Sequence, residues 1–398
     1  MQTFRYLSIL LTCILSVFWS VNSIASNVKK PPIMWSIWMA ESEMQRHPHA
    51  YLIDWRTAAR WDYTHGLELM AFAKLYQKTG DTRYFNYIKE YVDSLVMDDG
   101  TIKTYQQSKY NIDMLNAGKL LFFMYDETGN KKYRLAIDTL VKQLEKHPRT
   151  TEGGFWHKKR YTSQMWLDGL YMGAPFYAEY IRRYGQKEQF SDVIKQFQLI
   201  EKHLYRPDTQ LPVHGWDESK SQKWADPITG QSANHWSRSI GWYAMAMVDV
   251  LAQLPDDYPE KAWLSRRFKH LIDRLLHYQN DTGTWYQVTD KGDEAGNYPE
   301  SSGSSMFTYA IIKGVLDNAL PAYYLVYAEQ SYAGLIDEFI AVDKKTKRIS
   351  ITSACEVAGL GGKPYRDGSY DYYLSENIRD NDPKAVGPFI LASLLLGR

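Results

Sequence analysis

From residue 33 onward, apolar side chains return every three or four positions, the spacing of one face of a helix. Twelve stretches follow this pattern, over residues 33–45, 62–79, 81–96, 113–126, 130–145, 165–184, 186–204, 237–254, 257–279, 304–319, 323–340 and 383–396. They alternate in kind. The third and fifth carry a single stripe, Tyr84, Ile88, Tyr91 and Leu95, then Tyr133, Ile137, Leu140 and Leu144, as helices with one wet face do. The sixth, eighth, tenth and twelfth are apolar almost all round and rich in glycine and alanine, as in Gly241-Trp-Tyr-Ala-Met-Ala-Met247. Helices of that kind must be covered on every side.

Gly80, Gly129 and Gly185 each stand between an even helix and the next odd one, placed to act as C-caps of short turns. The connections from odd to even helices are long instead: about 97–112, 146–164, 205–236, 280–303 and 341–382. Loops of that length are uncommon unless they build a site. Six helical hairpins, apolar inside and amphipathic outside, define an all-α fold, an (α/α)6 barrel with its long loops at one end. The unequal glycine spacings fit an open solenoid less well. A short strand is expected at 349–352 and a glycine-rich turn at 359–362.

Composition narrows the function. A formal net charge of +1 without a basic block argues against a nucleic-acid partner. Residues 1–25 read as a secretory signal, with Arg5, an apolar run over 7–21 and the small-residue site Ser23-Ile-Ala25. A single catalytic domain over 26–398, exported to the periplasm or the cell exterior, is the expected product. No later run reaches the roughly 18 apolar residues of a membrane span. With Cys13 in the signal, Cys355 is alone and no intrachain disulfide can form. The 10 His include no metal-binding spacing, so neither metal nor other cofactor is expected. The 31 Tyr and 13 Trp offer flat apolar faces suited to sugar rings. Nothing in the pattern fixes an oligomeric state.

Residues 164–175 place one carboxylate, Asp168, among aromatic and thioether side chains. Apolar surroundings favour its protonated form, the state of a proton donor. The competing reading is an anion in the first turn of a helix, worth about 0.3–1 kcal/mol. In a barrel the starts of the inner helices share one pocket, which gathers Asp62, Tyr63, His65, Asp113, Asp168, Trp236, Arg238, Trp242, Ser304, Ser305, Asn381 and Asp382. The long loops add His157, Lys158 and His214. Asp62, Asp113 and Asp382 suit helix N-caps equally well. Asp113 and Asp168, at successive helix starts, could flank a substrate for acid–base glycoside chemistry. Arg238, expected between Trp236 and Trp242, could grip a carboxylate bidentately or form an ordinary surface ion pair.

Five motifs in order, Met165-Trp-Leu-Asp-Gly-Leu-Tyr-Met172, Gly153-Gly-Phe-Trp-His157, Asn234-His-Trp-Ser-Arg-Ser-Ile-Gly-Trp242, Glu300-Ser-Ser-Gly-Ser-Ser-Met306 and Gly387-Pro-Phe-Ile-Leu391, carry a resemblance across essentially the whole mature chain. It resembles the unsaturated rhamnogalacturonyl hydrolases, glycoside hydrolase family 105, with the unsaturated glucuronyl hydrolases of family 88 as the nearest rival. The resemblance implies an (α/α)6 barrel acting on oligosaccharides that end in a 4,5-unsaturated uronic acid. It implies that Asp168 protonates C4 while water adds at C5, with Asp113 as the second catalytic carboxylate. By the same resemblance Tyr63, His157, Lys158, His214, Trp236, Arg238 and Trp242 line the pocket. A non-catalytic oligosaccharide-binding barrel would use the same aromatic pocket, but would gain nothing from carboxylates beside an acidic sugar.

Overall fold

A computed structural model describes residues 30–397, so the expected signal segment lies outside the described residues. The helices come in pairs: α1 (Pro32–Arg46) with α2 (Tyr63–Thr79), α3 (Thr82–Leu95) with α4 (Lys119–Thr128), α5 (Lys131–Glu145) with α6 (Leu167–Tyr184), α7 (Phe190–His203) with α8 (Ser237–Leu251), and α9 (Lys261–His277) with α10 (Ser301–Leu316). The sixth pair joins α11 (Leu325–Phe339) to α13 (Pro383–Leu396) across a short α12 (Tyr370–Ser375). Helices α2, α4, α6, α8, α10 and α13 form a closed inner ring in which α13 packs back on α2. Each of α3, α5, α7, α9 and α11 lies outside the inner helix that precedes it, and α1 covers α13. This is the (α/α)6 barrel.

The two helix compositions explain the two layers. In α8 nearly every residue is buried, whereas α3 buries Tyr84, Tyr87, Ile88, Tyr91, Val92 and Leu95 and turns its remaining face outward. Inner helices approach closely where glycine allows: a Cβ on Gly66 would stand 2.5 Å from Ala117 Cα. Gly80 and Gly129 are left-handed C-caps (φ 72° and 66°). Gly185 is not. It is extended, and glycine is needed there because a Cβ would meet Ile181 Cα at 2.9 Å.

Other boundaries shift for physical reasons. The helix expected over 113–126 begins as a 3-10 segment, Ile112–Gly118, which Asn116 ties to α2 by donating to Tyr63 O (2.8 Å). Residues 164–166 form β1 (Gln164–Trp166), antiparallel to β2 (Gly215–Asp217), before α6 starts. The strand expected near 349 is β4 (Ile349–Ile351), paired with β3 (Ile340–Val342), while β5 (Ala354–Cys355) pairs with β6 (Ile378–Arg379). α10 starts at Ser301, because the Glu300 carboxylate accepts from the N–H groups of Ser302 and Gly303.

The long loops are stitched into a belt around the mouth of the barrel. Backbone N–H groups donate from Ile112 to His157 O, from His157 to Gln164 O, from Leu167 to His214 O, and from His214 to Asn234 O. The belt continues from Ser237 to Gln287 O, Glu300 to Trp285 O and Ser301 to Ser353 O. Each donor or acceptor lies within a few residues of an inner-helix start, so loop side chains are held at fixed positions over the ring.

One buried charge cluster makes stability depend on pH. Glu68 of α2 is fully buried with neither carboxylate oxygen hydrogen-bonded, and burial, with Glu43, Asp54 and Asp382 nearby, raises its pKa well above the usual carboxylate range. Burial also raises Glu43 to about 7, against the opposing pull of Arg46. A carboxyl that holds its proton more tightly when folded contributes most below its unfolded pKa, and that contribution is lost as pH rises toward the folded value. Glu68→Gln, which keeps the shape of the neutral acid, is therefore expected to melt above wild type at pH 7–8 and to converge with it near pH 4–5. Parallel melting temperatures of the two proteins over that range would show that Glu68 does not titrate with folding.

Candidate active site

Three segments of the belt bring the expected residues together. Asn111 pairs with Lys158 across a β-bridge, which sets His157 and Lys158 beside Asp113. Asp113 Oδ1 lies 3.2 Å from His157 Nε2, and Lys158 Nζ forms an ion pair with Asp113 Oδ2. The β1–β2 pair sets Trp166 against His214, whose Nε2 lies 3.2 Å from Asp168 Oδ2. The His157 ring stacks on Trp166 (4.6 Å, 12°) and Trp166 meets His214 edge-on (5.4 Å, 66°). The result is a continuous series, Asp113, His157, Trp166, His214, Asp168.

The two carboxylates differ in availability. Asp113 is held by a lysine and a histidine and stands in the 3-10 segment, with Asn111 rather than itself acting as the cap. Asp168, in the first turn of α6, keeps a buried Oδ2 that has no hydrogen bond, and its side chain is 14 % exposed toward the mouth. Glycine follows it for a reason: a Cβ on Gly169 would lie 3.1 Å from His157 Nδ1. Its surroundings are more polar than the apolar frame in the sequence suggests, because loop folding brings His214 and His157 to it. Burial, reinforced by the Lys158 charge, lowers the His157 pKa well below its usual value, so that imidazole is neutral.

Tyr373 of α12 completes the pair, its hydroxyl 2.8 Å from His214 Nδ1. Burial raises its pKa far above the usual phenol value, so it remains a hydroxyl. Trp236 closes the wall, stacked near Tyr373 (6.1 Å) and tilted against His214 (4.9 Å), while Gln287 accepts from Trp236 Nε1 (3.0 Å) and donates to Tyr373 O (3.0 Å). An imidazole so fixed can share one proton with Asp168 across the 3.2 Å gap. Tyr373 and Gln287 were not foreseen; the signal available was the run Tyr370-Asp-Tyr-Tyr373 behind a capping Ser369.

Several expected positions have other work. Arg238 is 1 % exposed and its fork is filled by the protein: Nε donates to Ser302 Oγ (2.7 Å), Nη1 to Glu356 O (3.2 Å) and Nη2 to Cys355 O, with Glu300 at 3.5 Å. This corrects the picture of a guanidinium free to grip a ligand and sandwiched by two indoles. Only Trp236 faces it (5.3 Å); Trp242 stacks on Tyr171 (4.9 Å) and meets the half-buried Tyr63 edge-on (6.4 Å), beneath the mouth. His65 is a core histidine stacked on Tyr91 (4.5 Å), lowered by burial to about 4. Asp382 caps α13 and pairs with Arg379 and Lys384. Asp62 pairs with Arg56 and makes no cap bond. Ser304 bonds the backbone of Trp285. Among the described residues no cluster of His, Cys, Asp and Glu could hold a metal ion, and no helix is long and apolar enough to cross a membrane.

A ring of six hairpins with an acid, two histidines and stacked indoles at the open end defines a carbohydrate-active barrel. The chain belongs to Glycosyl Hydrolase Family 88, whose model matches residues 35–396. It is 43 % identical to a Glycoside Hydrolase From Family 105 of C. acetobutylicum ATCC 824, with a TM-score of 0.87 over 91 % of this chain and 99 % of that one. The unsaturated rhamnogalacturonyl hydrolase YesR of Bacillus subtilis is 26 % identical over 77 % of this chain and 84 % of its own length. The unsaturated glucuronyl hydrolase of Bacillus sp. GL1, 16 % identical with a TM-score of 0.67 over 92 % of this chain and 95 % of that one, shares the fold. The chain is thus a glycoside hydrolase.

Proposed function

We propose that this enzyme acts on oligosaccharides ending in a 4,5-unsaturated uronic acid, as an unsaturated rhamnogalacturonyl hydrolase does, by hydrating the double bond. The carrying observation is the inequality of the carboxylates. A retaining or inverting glycosidase needs two working carboxyl groups across the glycosidic bond, whereas here both oxygens of Asp113 are engaged, by His157 and Lys158, and Asp168, among the described residues, faces no cation but only the His214 imidazole at 3.2 Å. One acid suffices for hydration. Asp168 gives its proton to C4, water adds to C5, and the C5 hemiketal opens. The anomeric carbon is left as a hemiacetal, which releases the neighbouring sugar as an alcohol.

In this reading His214, held by Tyr373, returns the proton to Asp168 or takes it from the water. Lys158 and Asp113 meet the substrate's carboxylate and hydroxyls, Tyr63 provides a face for the ring, and the buried Trp236 backs His214. Arg238 and Trp242 act from behind by fixing Trp236 and Tyr63. Export to the periplasm or beyond, read from residues 1–25, suits an enzyme of polysaccharide degradation.

The test is where the proton goes. In heavy water the released uronic product is expected to carry deuterium at C4, while the ultraviolet absorbance of the conjugated double bond disappears and the saturated disaccharide is left intact. Cleavage of the saturated sugar, or a product that keeps its double bond, overturns the hydration mechanism.

A further inference from the structure

The inner ring is open at its other end as well. The catalytic residues stand over the starts of the inner helices, whereas a cavity of about 490 Å³ is lined by all six of them, mostly from their C-terminal halves. Glu179, on its wall, lies 11 residues beyond Asp168 on α6, about 16 Å along the helix. Tyr171, stacked on Trp242 (4.9 Å), closes the inner end, and the exposed Lys74, Lys78 and Arg182 mark the opening. The volume is that of a small-molecule site, about 300–1,000 Å³.

Most of the charge around this cavity has another explanation. Lys78, Arg182, Arg183 and Lys313 occupy the last turns of their helices, where the carbonyl ends favour cations. Arg183 pairs with Asp126 (2.8 Å) and Glu179 (2.7 Å). Lys119 differs. It is the first residue of α4, the end at which the dipole opposes a cation, and it is only 7 % exposed. Among the described residues its ammonium makes no hydrogen bond and no ion pair, lying 3.9 Å from the centroid of the Tyr171 ring. A buried ammonium without an acceptor is costly. Burial accordingly lowers its pKa to about 8, although Asp249 and Glu179 pull the other way.

The groups around Lys119 complement one kind of molecule. Asp249 accepts from Tyr309 OH at Oδ1 (2.7 Å) and, among the described residues, keeps Oδ2 without a partner. Phe123 of α4 and Leu391 and Leu394 of α13 make the wall apolar elsewhere. An ammonium answers a carboxylate, whereas a carboxylate beside a phenol answers hydroxyl groups. A bare carboxylate would leave Asp249 unsatisfied, and a neutral polyol would leave Lys119 uncompensated.

The structure assigns a second binding site to the end of the barrel remote from Asp168: it takes a small hydroxy acid, with the carboxylate on Lys119 and a hydroxyl group on Asp249. The site lies outside the function proposed above and does not depend on it.

Gluconate is the probe, with glucose as its uncharged counterpart and propionate as a carboxylate without hydroxyls. Labelling of free amines by acetic anhydride, read by peptide mass spectrometry, reports on Lys119 directly. Saturating gluconate is expected to slow its acetylation by about tenfold or more, the worth of one charged hydrogen bond, while propionate and glucose at the same concentration protect it little. Calorimetric affinity for gluconate should fall from pH 7 to 9.5 as Lys119 loses its proton. Lys119→Gln removes an uncompensated buried charge, so it should melt no lower than wild type and lose one equivalent of bound gluconate. In Asp168→Asn the protection of Lys119 should persist. No protection by gluconate, or equal protection by either control, overturns the site. So does a stoichiometry unchanged in Lys119→Gln, or protection lost in Asp168→Asn, which would seat gluconate in the catalytic pocket.

Discussion

Asp168→Asn is expected to fold normally and to lose turnover by about 10² to 10⁴-fold, the usual contribution of a general acid. The amide has the same shape but cannot deliver a proton. The position tolerates it, since Asp168 makes no cap bond and its Oδ2 has no hydrogen bond to lose. What the fold forfeits is a first-turn anion, about 0.3–1 kcal/mol, so the unfolding midpoint should move little. The measurement is the rate of double-bond loss at saturating substrate, beside a denaturant melt. Turnover within tenfold of wild type would remove Asp168 as the acid and move attention to His214. A variant that melts far below wild type would mean that the carboxylate is structural.

The barrel was legible because its signal is periodic and local. A single stripe on α3 and α5 and an all-round apolar surface on α8 follow directly from which layer each helix occupies. Boundaries were less legible where tertiary contacts override them. The 3-10 start of α4 depends on Asn116 reaching Tyr63 O, and the early start of α10 on a buried Glu300 serving as cap. A single carboxylate in a hydrophobic motif was visible for Asp168. His214 was visible as a loop residue of the pocket but its pairing was not, because the Asp168–His214 contact needs β1 and β2 to pair and the Tyr373–His214 bond spans 159 residues. α12 is only 6 residues long, too short for helical periodicity to register.

Arg238 is the position where structure changes the expectation most, and its replacement should be felt in stability as strongly as in catalysis. Its guanidinium connects Ser302 of α10, the backbone carbonyls of Cys355 and Glu356, and the Glu300 carboxylate, which is itself fully buried. Removing one partner of a buried pair leaves the other charge uncompensated, at a cost of about 3–5 kcal/mol. Arg238→Ala is therefore expected to lower the unfolding free energy by that amount and to loosen the cap of α10. Lysine keeps the charge, but one ammonium cannot serve a hydroxyl, two carbonyls and a carboxylate at once, so Arg238→Lys should cost about 1–3 kcal/mol. Because Arg238 faces Trp236, and Trp236 meets His214, kcat should fall in the lysine variant as the wall shifts. Denaturant unfolding and steady-state kinetics on that variant separate the two roles. A guanidinium that grips the substrate carboxylate predicts an unchanged midpoint with a raised KM; a guanidinium that holds the wall predicts a lower midpoint with a lowered kcat, and the second outcome is the expected one.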